Sequence, residues 1–133
     1  MTKIPDHDRD IIEYAIYLPM VLTIFERDLM AINKSSVKLK KPYQELLEKK
    51  MIIVQKDLRE VKKYLRQQNI SVQESKRDES FTTYLFLYKG YEEYHNYFNP
   101  RIRNKVQELI TKYFLGVKVV LDNKDEGDSL SIK

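Results

Sequence analysis

Histidine occurs only twice in this chain, at positions 7 and 95, and only His95 has a carboxylate at useful spacing. It follows Glu92 by three residues, which on a helix sets both on one side. A di-iron bundle needs two such Glu-x-x-His pairs and two further inward carboxylates. The sequence supplies a single pair, so the expectation is a seam histidine bonded to a tyrosine or carboxylate rather than a metal ligand. His7 lies among Asp6, Asp8 and Asp10 near the terminus, too polar a setting for a buried site. Nucleophilic catalysis lacks its parts: there is no cysteine and no Gly-x-Ser-x-Gly elbow. Neither Gly-x-x-x-x-Gly-Lys nor Gly-x-Gly-x-x-Gly occurs, so no phosphate cradle is visible. Glu13 borders the apolar N-terminal stretch and reads as a capping-box partner of Asp10, not as a general base. The expectation is a non-enzymatic protein with no catalytic residue, no cofactor and no metal.

Recognition chemistry is better represented. Five of the ten tyrosines, Tyr84, Tyr88, Tyr91, Tyr94 and Tyr97, crowd into one net-acidic segment. Aromatic platforms stack nucleic-acid bases only beside positive charge, so the tyrosines read as a core seam with hydroxyls at its wet edge. On a helical projection Phe86 and Tyr97 fall opposite that seam. In the second segment Ile52 and Ile53 likewise project away from the apolar stripe. These four residues are the candidate protein interface, for a partner or for a second copy in a homodimer. Positive charge is concentrated in two places. Residues 34–66 carry eleven lysines and arginines against four acids, and residues 100–121 carry five against one. Lys49, Lys56, Lys63, Arg101, Arg103 and Lys105 form the candidate basic surface, suited to steering an acidic partner. The same residues would serve the alternative reading, a nucleic-acid-binding module. A metal-dependent helical-bundle enzyme at Glu92 and His95 is the third.

These side chains need elements to position them. The first helix is predicted from about Asp10 to Ile32, apolar almost all round, with a kink expected near Pro19. Such a helix is normally central or sandwiched. After a basic connector, Pro42 opens a second helix to about Gln68, where Leu47, Met51, Val54, Leu58, Val61 and Leu65 repeat in steps of four and three. From Ser80 to Phe98 a third helix is predicted, because Phe81, Tyr84, Tyr88, Tyr91, His95 and Phe98 keep the 3–4 period. Phe81, Thr83, Leu85 and Leu87 also alternate, and Ile70 with Val72 could pair with them as a hairpin around Lys76–Glu79. Asn99-Pro100 starts a last helix with Ile102, Val106, Leu109 and Tyr113 inward, and Gly116 stops it.

The expected fold is therefore an all-α bundle of about four helices. It forms one helical domain over 1–121, followed by a flexible acidic tail over 122–133. The alternative is α+β with a small hairpin at about 70–88. With 133 residues, 42% of them hydrophobic, the chain fills one core without metals or disulfides. Its longest apolar run, Tyr14 to Phe25, is too short to span a bilayer and follows acidic residues, which predicts a cytoplasmic protein. Four phrases, Leu18-Pro19-Met20-Val21-Leu22, Lys38-Leu39-Lys40-Lys41-Pro42-Tyr43, Tyr88-Lys89-Gly90-Tyr91-Glu92-Glu93 and Tyr97-Phe98-Asn99-Pro100-Arg101-Ile102-Arg103-Asn104, resemble a group of small uncharacterised proteins of Bacillus-type bacteria and their mobile elements. The resemblance spans about residues 8–115. It implies a bacterial cytoplasmic setting and carries no mechanism.

Overall fold

The computed structural model describes residues 4–120, and the acidic segment 122–133 lies outside them. The order of elements is α1 (Asp6–Asn33), α2 (Lys41–Gln67), β1 (Ile70–Arg77), β2 (Phe81–Tyr88), β3 (Tyr91–Phe98) and α3 (Asn99–Phe114). Strands β1, β2 and β3 form one antiparallel sheet in sequence order. The fold is therefore α+β, and the all-α bundle of four helices is overturned. The segment expected as a third helix is two strands of a meander, and Ile70 and Val72 do pair with β2.

Helix α1 lies across the inner face of the sheet and packs against both other helices. It continues through Pro19 without a break in its assignment. Ile11, Ile12, Ile16, Tyr17, Leu18, Val21 and Phe25 are buried, a spread too wide for one face and suited to a helix with neighbours on several sides. It begins at Asp6, a turn earlier than the Asp10–Glu13 pair suggests, so neither residue caps it. Helix α2 buries Leu47, Val54, Val61 and Leu65, half-buries Met51 and Leu58, and ends where Asn69 turns to φ 59°. That left-handed residue is tolerated best by Asn or Gly and redirects the chain into β1.

Two turns shape the sheet. Between β2 and β3 the two-residue loop Lys89-Gly90 has φ 51° and 94°, the double positive φ of a type I′ hairpin. Between β1 and β2, the Asp78 carboxylate accepts the backbone N–H of Ser80 (2.8 Å) and of Phe81 (2.7 Å). Those two bonds hold the Asp78 carboxyl below its ordinary value despite the opposing effect of desolvation. Asn99 then ties α3 to this turn. Its side-chain amide donates to the carbonyls of Asp78 and Glu79, and its oxygen accepts the Thr82 hydroxyl at 2.7 Å. Pro100 occupies the first turn of α3, and Gly116 at φ 76° follows its end.

Register divides the sheet into two unlike faces. Thr82, Tyr84, Phe86 and Tyr88 of β2 are buried and face α1, together with His95 and Tyr97 of β3. Phe81, Thr83, Leu85 and Leu87 alternate with them on the outer face, beside Phe98, Asn96 and Tyr94. No element among the described residues covers that outer face, where Tyr94 is 63% exposed.

Candidate functional site

The inner carboxylates come first, because acid–tyrosine pairs could in principle do proton chemistry. Asp8 on α1 is buried and accepts the hydroxyls of Tyr64 on α2 and Tyr88 on β2, each at 2.6 Å. Burial alone would raise its pKa, but the two hydroxyls and the neighbouring His7 outweigh it and hold the carboxyl below its ordinary value. In return the hydrogen bond to Asp8, with burial, pushes Tyr88 up to about 12. Glu13 accepts the Tyr97 hydroxyl at 2.8 Å, and Asp57 on α2 accepts that of Tyr113 on α3 at 2.7 Å. Burial raises both of these tyrosines, and their carboxylate partners raise them further. At Asp57 burial wins over the hydroxyl, and the carboxyl is raised. Tyr14 donates to the Val119 carbonyl at 2.9 Å. Each of these carboxylates thus accepts a phenol from a different element, which makes it a polar cross-brace between elements.

Glu92 and His95 do not meet. Residues three apart on a strand point to opposite faces, so Glu92 lies outward opposite Leu87 and His95 inward opposite Tyr84. His95 instead contacts Glu93 at 3.0 Å and stacks on Phe86 with ring centroids 4.2 Å apart. The metal-site reading loses its geometry.

Strand geometry also moves two of the four interface candidates. Phe86 is 0% exposed, and Tyr97 is half-buried with its hydroxyl on Glu13. Both were placed outward by a helical projection that the strands replace. Ile52 and Ile53 do reach the surface of α2, and Leu46 and Tyr43 are exposed nearby on the same helix. Lys49, Lys56 and Lys63 are exposed on α2, as are Arg101, Arg103 and Lys105 on α3. Arg103 lines a groove between α1 and α3 to which α2 contributes nothing.

That groove is the candidate functional site, with a volume of about 770 Å³. Met20, Ile24 and Arg27 form its α1 wall, at helical steps of four and three. The α3 wall is a continuous stripe: Asn99, Ile102, Arg103, Val106, Gln107, Ile110, Thr111 and Phe114. Its lining is largely apolar and includes three arginines, Arg27, Arg77 and Arg103. The two helices run the same way. Tyr97, just before α3, reaches Glu13 on α1, and Phe114 at the other end stacks on Phe25, centroids 5.6 Å apart. Arg27 therefore stands at the Phe114 end, while Arg77 and Arg103 stand at the Asn99 end.

Arg77 reaches the groove because of an irregularity in β1. The register shifts between Glu74 and Lys76, leaving Ser75 as an extra residue. Without it Arg77 would alternate onto the outer face. With it Arg77 sits opposite buried Thr82, on the inner side. Its guanidinium bonds Glu74 across the bulge at 2.9 Å. Sequence reasoning picked out Arg103 for its charge but missed the groove and Arg77. The stripe readable on α3 is the core-facing one, Ile102, Val106, Leu109 and Tyr113, of which only Ile102 and Val106 also line the groove, and the bulge depends on cross-strand register that no local pattern shows.

Taken together, fold and site define a small α+β protein with an open amphipathic groove and carboxylates braced by tyrosines. A profile described as YhjD protein matches residues 3–118, and the chain belongs to that family. It is 51% identical over 113 residues to the uncharacterised protein YhjD of Bacillus subtilis (strain 168), covering 85% of this chain and 94% of that one. The resemblance to small Bacillus-type proteins read from the sequence is thereby established. No solved structure matches the chain. Among the described residues no helix is long and apolar enough to cross a membrane.

Proposed function

We propose that the protein is a non-enzymatic interaction protein that engages its partner through the groove between α1 and α3. The observation that carries this reading is the pairing of a largely apolar lining with arginines at both ends of the groove. A volume of about 770 Å³ is well within the range of working ligand sites. The setting we infer is cytoplasmic. The test uses an anionic apolar dye, 8-anilinonaphthalene-1-sulfonate, titrated at low salt. Saturable fluorescence enhancement is expected for the parent chain. It should be lost in Ile24→Glu/Ile110→Glu with the cooperative thermal transition retained. Dye binding that survives this double substitution would sink the groove as the binding site.

The exposed lysines Lys49, Lys56 and Lys63 on α2, with Arg101, Arg103 and Lys105 exposed on α3, support a second reading, nucleic-acid binding. It predicts affinity for duplex DNA that falls steeply with salt and weakens with each lysine removed. Indifference of binding to those substitutions would retire it.

A further inference from the structure

We propose that the groove receives an acidic amphipathic helix of a protein partner, an inference that rests on reading the groove as the interaction site. Shape is the first argument. Two helices running the same way line the groove, α3 from Asn99 to Phe114 and α1 over the shorter stretch from Met20 to Arg27, roughly 11 Å at ~1.5 Å per residue. The part walled by both helices accommodates about two turns of a third helix, anchored by apolar residues at i, i+3 or i+4, and i+7. The second argument is openness. Ile24 is 36% exposed and Phe114 44% exposed, so the walls do not close over an occupant. An acyl chain laid there would keep one side in water. An amphipathic helix has a polar side that belongs in water.

Charge decides the sign. Arg27 marks one end and Arg103 the other, with Arg77 beside Arg103 but already paired with Glu74 at 2.9 Å, and only apolar and neutral lining residues between. The ligand that matches carries Asp or Glu near both ends of its apolar stripe. Guanidinium suits this task because its planar fork binds carboxylates in pairs of hydrogen bonds. The bulge at Ser75 turns Arg77 toward the groove and away from the outer face, and the Asn99 clamp fixes α3 against that same turn.

The experiment titrates three labelled synthetic helices of one length against the full chain by fluorescence anisotropy. All share the same leucine stripe, and their flanking positions are Glu, Gln or Lys. The Glu-flanked helix should bind roughly tenfold tighter than the Gln-flanked one, with the Lys-flanked helix weakest. In Arg27→Glu/Arg103→Glu, both surface changes, the order should reverse, and circular dichroism should show an intact fold. An affinity order that ignores flank charge, or that survives the charge swap, overturns the proposal. So does saturable oleate binding tighter than any helix. Persistence of dye binding in those cases would leave the groove standing and remove only the acidic helix, whereas loss of both would remove the groove as well.

Discussion

The two faces of the sheet are made from the same kinds of residue and live different lives. On β3, Tyr97 sits against α1 with its hydroxyl on Glu13, while Tyr94, three residues earlier, is 63% exposed and touches nothing across the sheet but its own face. On β2, Phe86 is 0% exposed and Phe81 is 42% exposed. Aromatic content does not separate them. What separates them is strand parity and the presence of α1 on one side. Every inner tyrosine that meets a helix carboxylate has become a brace between layers. Outer aromatics pack only sideways, as Phe81 does on Phe98 with centroids 5.5 Å apart. Stability should therefore be very unequal across a sheet barely one side chain thick on either side.

The largest expected effect comes from emptying the inner face. Phe86→Ala removes a fully buried ring that stacks on His95 and should cost about 3–5 kcal/mol. Phe98→Ala, on the outer face of the neighbouring strand, should cost under about 1 kcal/mol. Urea unfolding of both variants measures the ratio directly. Comparable losses would mean that something covers the outer face in solution and would undo the contrast.

Next come the carboxylates, where two braces of similar construction should respond to pH with opposite sign. Asp8 is held below its ordinary value of 3.8, so the unfolded chain binds its proton more tightly. Its contribution to stability is full above that value and disappears as pH falls through the lower folded value. Asp57 is raised, chiefly by burial, so the folded chain binds its proton more tightly. Ionised Asp57 therefore costs stability above its folded pKa, and the cost is relieved as pH falls. Asp8→Ala removes the acceptor of the buried Tyr88 hydroxyl and of the part-buried Tyr64 hydroxyl and should cost about 3 kcal/mol at pH 7. Asp57→Asn keeps an oxygen for the Tyr113 hydroxyl and sheds the charge, so it should be neutral or slightly stabilising at pH 7. Thermal melts from pH 3 to 8 distinguish the two. Similar pH slopes in both variants would show that the braces are equivalent. At the alkaline end, Tyr88 and Tyr17 are both raised to about 12, Tyr88 by its bond to Asp8 and Tyr17 by burial. Stability should fall as pH climbs from about 10 to 12, because the folded state holds those phenolic protons longer.

The same parity explains what could be read from the sequence. Helices α2 and α3 were legible because their apolar residues repeat at three and four behind Pro42 and Pro100, and α1 because it is apolar almost all round. Segment 80–98 imitated that pattern for a geometric reason. A step of four is even, so Tyr84 to Tyr88 and Tyr91 to His95 stay on one face of a strand. The step of three between Tyr88 and Tyr91 is the width of the Lys89-Gly90 turn. Strand and helix periodicities thus coincide wherever a two-residue hairpin separates even spacings. The alternation Phe81, Thr83, Leu85, Leu87 was the outer face of β2, and Gly90 with its positive φ was the signal for the turn. Of the site, Arg103 was visible by its charge and Ile102 and Val106 as core-facing residues, while Ile110 and Phe114 were not singled out. Arg77 was not, because its face depends on one extra residue, Ser75, whose effect exists only in cross-strand pairing.

The smallest expected effect is the sharpest test of the contrast. Tyr94→Ser strips an aromatic ring from the outer face opposite Leu85, a change that would cost several kcal/mol in a core. Here the ring is 63% exposed and its hydroxyl has no protein partner among the described residues, so stability should move by no more than about 0.5 kcal/mol. The companion substitution Tyr97→Phe, which keeps the ring and removes only the hydroxyl bonded to Glu13, should cost about 1 kcal/mol or more. Losing one oxygen from the inner face should thus outweigh losing a whole ring from the outer one. If urea midpoints rank the two variants the other way, the outer face is an interface and parity alone does not govern this sheet.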